Sequence, residues 1–338
     1  MRFRLPTLVL VTVALASASG MSTDSVQAAQ LIGRDARHMV LKVNTRGEAL
    51  LLFRSNGRQN HVLVWGAINA HSRSRSRPQA KFEVDYSGGW RKYKRRLFGG
   101  KAYWQTFQNA CRPYSGPALA YAIAACDAPN GSYWAVQQWP QPLPDLGFTP
   151  WLSGQRQRWT VVSHWSGPLP QLTAYADWVY GHVHHLFGNF TYRGQPVYGF
   201  HTTRGGAPTD NYGRLIYLDT YDSAYGPGWR RENSFVSQGP TGAWCYGFFT
   251  HDPSPPAYHH PPGQSNVRPD GNGSRYRLLA DGPGVTPYVE TFVTDPGDWN
   301  PADPAKVAFL QSELALLPSV IGADPQCLKG HDIATTAP

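Results

Sequence analysis

The sequence lacks the compact signatures of most enzyme classes. There is no Gly-x-Ser-x-Gly elbow, which removes the usual α/β-hydrolase nucleophile, and no companion-supported Ser-x-x-Lys. No His-Glu-x-x-His, Walker loop or Gly-x-Gly-x-x-Gly fingerprint is present, so zincin chemistry and nucleotide binding have no sequence support. Acids are few, 22 against 31 Lys and Arg, which leaves a small pool for paired-carboxylate chemistry. Past the first 16 residues no apolar run approaches the 18 that a membrane-spanning helix needs. No cofactor is implied.

What is present first is an export signature. Arg2 and Arg4 precede an apolar Leu5–Ala16 run and small residues, with cleavage rules met at Ala16-Ser17-Ala18 and Val26-Gln27-Ala28. We read residues 1–29 as a secretory signal, cut between 18 and 29, and 30–338 as one large mainly-β domain, secreted or associated with the cell envelope. Four Cys in an exported chain read as two disulfides. Of three pairings, Cys111–Cys126 and Cys245–Cys327 are favoured: the first closes a short loop, the second tethers the tail.

Short strand patterns between turns dominate the chain. Met39–Val43, Glu48–Arg54 and Gln59–Trp65 read as a meander, with an Asn56-Gly57 hairpin turn between the last two. The middle segment is apolar on both faces, as for a strand covered on both sides. Ser132–Gln138, Arg156–Ser163, Leu172–Tyr180, Phe190–Tyr192, Arg214–Thr220, Ala243–Phe249, Tyr276–Ala280 and Val285–Thr294 read as further strands. Residues 251–273, dense in Pro, Gly and His, read as a long loop. Two helices are expected. One lies near 117–126, with Pro117 in its first turn and Leu119, Ile123 and Cys126 at helical spacing. The other lies near 304–317, with Asp303 as N-cap and Val307, Leu310, Leu314 and Leu317 as its apolar face. The expected fold is an antiparallel β-sandwich-like domain.

Candidate sites are of four kinds. The segment from His71 to Lys101 holds ten Lys and Arg against Glu83 and Asp85 alone, and so carries +8 of the chain's +9. Arg91, Lys92, Lys94, Arg95 and Arg96, interleaved with Trp90, Tyr93 and Phe98, are its densest part. Such a pattern usually marks nucleic acid, but export points instead to an anionic envelope polymer or polysaccharide. Six of the 12 Trp fall between 134 and 178, and Trp134, Trp139, Trp165 and Trp178 are candidates for stacking on a glycan or, equally by chemistry, for the core of a β fold. His182 and His184, on one face of a strand, with Asp177 nearby, are candidate metal ligands. Asp219, Asp222 and Glu232 are candidate glycosidase carboxylates, although the odd spacing of the two Asp directs them to opposite faces of a strand.

These observations favour a non-catalytic exported protein that binds an anionic polymer or glycan. A secreted carbohydrate-active hydrolase using the paired carboxylates is the first alternative, and a structural or assembly protein of the envelope the second.

Overall fold

The computed structural model describes residues 29–69, 80–93, 101–140, 143–144, 157–198, 201–202, 208–209, 215–237, 241–250, 267–283 and 286–331. Residues 1–28 of the export segment therefore lie outside the described residues, as does most of the 251–273 stretch.

The main strands are β1 (Gln30–Arg34), β2 (Arg37–Val43), β3 (Ala49–Ser55), β4 (Arg58–Gly66), β5 (Phe82–Asp85), β6 (Ala122–Asp127), β7 (Tyr133–Trp139), β8 (Trp159–Trp165), β9 (Tyr175–Val179), β10 (Val183–Tyr192), β11 (Ile216–Ser223), β12 (Gly226–Phe235), β13 (Ala243–Gly247), β14 (Arg275–Ala280) and β15 (Val289–Thr294). They form four antiparallel sheets: β2-β3-β4-β5, β1-β8-β7-β6, β12-β11-β14-β15, and β10 flanked by β9 and β13. We number these sheets one to four.

Period-two alternation decides how the sheets stack, because each strand sends alternate side chains to opposite layers. In sheet one, Ala49, Leu51, Phe53, Val62 and Val64 pack with Trp134, Val136 and Val162 of sheet two. Leu50 and Leu63, on the other face, are equally buried, beneath Tyr103 and Phe107. The opposite face of sheet two sends Trp139, Trp159 and Val161 against Tyr217 and Leu279 of sheet three. Sheet three turns Ile216, Leu218, Tyr276 and Leu278 toward Leu186, Phe190 and Trp244 of sheet four. Phe187 and Ala243, on the last face, meet Leu317 and Ile321 of the C-terminal helix, Pro304–Ile321. The expected sandwich is thus present twice, the two copies packed back to back. Gly188 sits inside β10, where a Cβ would run into the Thr173 carbonyl and the Trp244 ring.

The C-terminal helix starts as expected, with Asp303 Oδ1 accepting from the Ala305 amide at 2.9 Å. It runs past 317 to Ile321, carrying Pro318 inside its last turn, and stops at Gly322 with φ 62°. The helix expected near 117–126 is not formed. Ala122–Asp127 is instead β6, paired with β7 through Ala125↔Ala135 and Cys126↔Trp134. Tyr121, at φ 52°, interrupts the helical path midway. The spacing of Leu119, Ile123 and Cys126 fits a helical face, but the ladder to β7 and burial of Cys126 beside Trp134 outweigh local propensity. Both favoured disulfides, Cys111–Cys126 and Cys245–Cys327, are formed. Among the described residues no helix is long and apolar enough to cross a membrane.

Candidate functional site

The four candidate Trp are core residues. Trp134, Trp139 and Trp165 are 0 % exposed and Trp178 1 %, so none offers a face to a glycan. Trp134 stacks on His164 at 3.9 Å, Trp139 lies 4.0 Å from the Tyr288 ring, and the Trp178 indole N–H donates to the Gly297 carbonyl at 2.8 Å. A fold with four stacked sheets has three inner layers to fill, and large aromatic side chains fill them.

The candidate carboxylates do not converge. Asp219 faces sheet two, where Arg231 and Arg277 both pair with it, Arg277 at 2.6 Å. Glu232 occupies the bulge between Leu218↔Asn233 and Asp219↔Arg231, and so points the other way. The hydroxyls of Tyr225 and Tyr246 donate to it at 3.3 and 3.1 Å, and Arg268 stands 3.6 Å away. Asp222 occupies the irregularity near the end of β11, accepting from the Gly228 amide at 2.7 Å. With Asp219 and Glu232 on opposite faces of one sheet, the two-carboxylate hydrolase arrangement is absent at these residues.

The basic stretch divides. Lys94, Arg95 and Arg96 lie outside the described residues. Lys92 is structural: its ammonium pairs with Glu48 at 2.8 Å and lies 3.9 Å over the Trp65 ring. Burial pushes the Glu48 carboxyl up, but hydrogen bonds with Lys92, Tyr93, Asn44 and Tyr103 outweigh it and hold the group at about 2. Arg91 is exposed, and its amide donates to Asp85 at 2.9 Å.

A second basic feature arises only in three dimensions. Where β1 passes to β2 and the β3–β4 hairpin turns, a cleft of about 860 Å³ is lined by Asp35, Arg37, His38, Arg54, Asn56 and Arg158, among others. Its walls are tied together. The Asp35 amide donates to Arg158 O at 2.8 Å, the Arg158 amide returns to Asp35 Oδ1 at 2.9 Å, and Gln138 Nε2 donates to Ala36 O at 2.8 Å. Asp35, His38 and Asn56 hold positive φ of 48°, 54° and 50°, so the rim is built from turns and a bulge. Arg37 lies directly opposite Arg54 in the ladder. Like charges in that relation repel. Among the described residues no carboxylate pairs with Arg37, Arg54 or Arg158.

The histidine cluster is present in altered form. Tyr180, Gly181 and His182 make the β9–β10 turn, so His182 is exposed and off the strand. His184 points away from Asp177, to Asp295 at 2.7 Å and Asp298 at 3.6 Å; burial opposes its protonation, but Asp295 prevails and raises its pKa. The ladder sets Asp177 opposite His185. His185 Nδ1 lies 2.6 Å from Asp177 Oδ1, and His331 Nε2, from the chain end, lies 2.7 Å from Oδ2. All three are buried. Burial pushes Asp177 up, but the hydrogen bonds and charge of the two imidazoles outweigh it and lower its pKa. Asp177 was legible as a candidate ligand; His185 and His331 were not.

No family model, curated protein or solved structure matches this chain.

Proposed function

We propose that the chain is an exported binding protein for an anionic polymer of the envelope or extracellular space, with the Arg37–Arg54–Arg158 cleft as the contact surface. The observation that carries this reading is the cleft's charge: three exposed Arg and a His face one Asp, and that Asp is already engaged by the Arg158 amide. Guanidinium groups present forked donors that match phosphate and carboxylate oxygens, and an anion between Arg37 and Arg54 relieves their mutual repulsion. The signal-like N-terminus and the two disulfides support an exported setting. Any remaining residues of the 71–101 segment add charge to the same polymer rather than specificity.

The test is retention of the purified protein on immobilised poly(glycerol phosphate), polygalacturonate and neutral dextran across a salt series. Retention on a polyanion, absent on dextran, is expected to fall with a log–log salt slope of roughly −2 to −3 if three anionic groups are neutralised. Arg37→Ser/Arg54→Ser/Arg158→Ser is expected to weaken binding about tenfold or more. A stronger phosphate than carboxylate signal names the polymer class. Unchanged retention in the triple variant overturns the cleft assignment. If Arg91→Ser/Lys94→Ser/Arg95→Ser/Arg96→Ser alone abolishes retention, the surface moves to the basic stretch. Lys92 stays untouched because of its role beside Glu48.

A further inference from the structure

We propose that Asp177, His185 and His331 form a binding site for a divalent transition ion, Zn²⁺ foremost, a site separate from the basic cleft and independent of its function. The donor set is one carboxylate and two imidazoles, a combination that suits Zn²⁺ and its neighbours in the first transition row. One donor atom from each residue lies within 4.8 Å of the others, and all three residues are buried. In a tetrahedral Zn²⁺ site, bonds of about 2.0–2.1 Å set neighbouring donors roughly 3.4 Å apart. The Asp–His contacts at 2.6 and 2.7 Å are tighter than that, so an ion must open them and draw the two imidazoles together.

Three features of the fold make the convergence firm. Asp177 and His185 face each other across one rung of the β9–β10 ladder, so their separation is set by the sheet. His331 follows the short helix Pro325–Leu328, which the Cys245–Cys327 disulfide fastens to β13, the other neighbour of β10. The Tyr180 amide also donates to Gly330 O at 3.0 Å, fixing the residue before His331 against the end of β9. Proton accounting points the same way. A carboxylate accepts only, so each imidazole now spends a proton on Asp177. An ion takes that nitrogen, so the single proton of each neutral imidazole must move to the other ring nitrogen. For His331 that nitrogen, Nδ1, already faces the Leu328 carbonyl at 3.4 Å, the arrangement by which metal-bound imidazoles are oriented. Glu313, on the C-terminal helix, stands close enough for the Asp177 charge to act on it, and its buried Oε2 has no hydrogen-bond partner among the described residues. A water completes the coordination.

The experiment uses the full chain, stripped with chelator, loaded with Zn²⁺ and passed through gel filtration before metal analysis; Co²⁺ loading gives a parallel visible spectrum. About one retained Zn²⁺ per chain and an intense tetrahedral-type Co²⁺ absorption are expected. Asp177→Asn, His185→Gln and His331→Gln are each expected to weaken Zn²⁺ about tenfold or more, while His182→Gln, in the neighbouring exposed turn, leaves it unchanged. Near-ultraviolet circular dichroism checks that each variant is folded. If a variant fails to fold, the wild-type Co²⁺ spectrum decides alone. No retained Zn²⁺ in the wild type, a Co²⁺ spectrum of the hydrated octahedral ion, or Zn²⁺ binding that survives all three substitutions overturns the site and leaves Asp177 as a hydrogen-bonded anchor for the chain end.

Discussion

His164 shows how a single buried side chain ties stability to pH. It lies between sheets one and two, stacked on Trp134, with Nδ1 2.9 Å from Gly66 O and Nε2 2.8 Å from Ser132 Oγ. A carbonyl only accepts, so the neutral ring carries its proton on Nδ1, and Nε2 faces Ser132 Oγ. Burial lowers its pKa from 6.5 to about 4, against a smaller opposite pull from the Gly66 carbonyl. Between these values the unfolded chain binds a proton that the folded chain refuses, so stability falls as pH drops from 6.5 toward 4. The full loss is about 3 kcal/mol. Urea unfolding of the wild type and His164→Gln from pH 7 to pH 4 checks this. The gap between the two curves is expected to shrink as pH falls, and a constant gap removes His164 as the cause.

At the scale of elements, turns and caps were readable because their chemistry is local. Asn56-Gly57 adopts paired positive φ, as a hairpin turn between twisted strands requires, and Asp303 caps its helix. What escaped was information held by partners. The Ala122–Asp127 segment becomes a strand because β7 lies beside it. His185 meets Asp177 because the turn is Tyr180-Gly181-His182: once Val179 pairs with Val183, counting back two rungs reaches 177 and 185. The turn residues, with Gly181 at φ 74°, were the signal that could have corrected the register. His331 and the Arg37–Arg54–Arg158 cleft carried no local signal, since their members are far apart in the chain. The disulfides were readable from parity and spacing, and their loop lengths make a prediction. Cys245→Ser/Cys327→Ser opens a closure of 82 residues and Cys111→Ser/Cys126→Ser one of 15. The expected losses are roughly 4–5 and about 3 kcal/mol. Denaturation of both double variants under oxidising conditions tests the order, and a greater loss for the short loop contradicts it.

At the scale of the whole molecule, the question is what makes two sandwiches one body. Sheets two and three meet through a thin apolar layer of Trp139, Trp159, Val161, Tyr217, Leu279 and Tyr288. Gln137 crosses the same layer. Its Nε2 donates to Tyr288 O at 3.0 Å and to Ala120 O at 2.8 Å, while the Tyr288 amide donates to its Oε1 at 3.0 Å. The side chain is 0 % exposed, so its amide is a buried polar link from β7 of sheet two to the backbone that leads into β15 of sheet three. Gln137→Ala strips those partners from both backbone groups of Tyr288 while leaving each sandwich's own inner core intact. Each lost hydrogen bond costs about 0.5–1.5 kcal/mol, and the loss falls on the seam. The expected outcome is a protein that still folds but whose seam opens first. Hydrogen exchange at the Val161 and Leu279 amides should rise in Gln137→Ala, while exchange at Leu51 in sheet one and Leu186 in sheet four stays near wild type. Exchange that rises equally at all four positions shows instead that the two sandwiches unfold as a single cooperative unit, with the seam no weaker than the cores it joins.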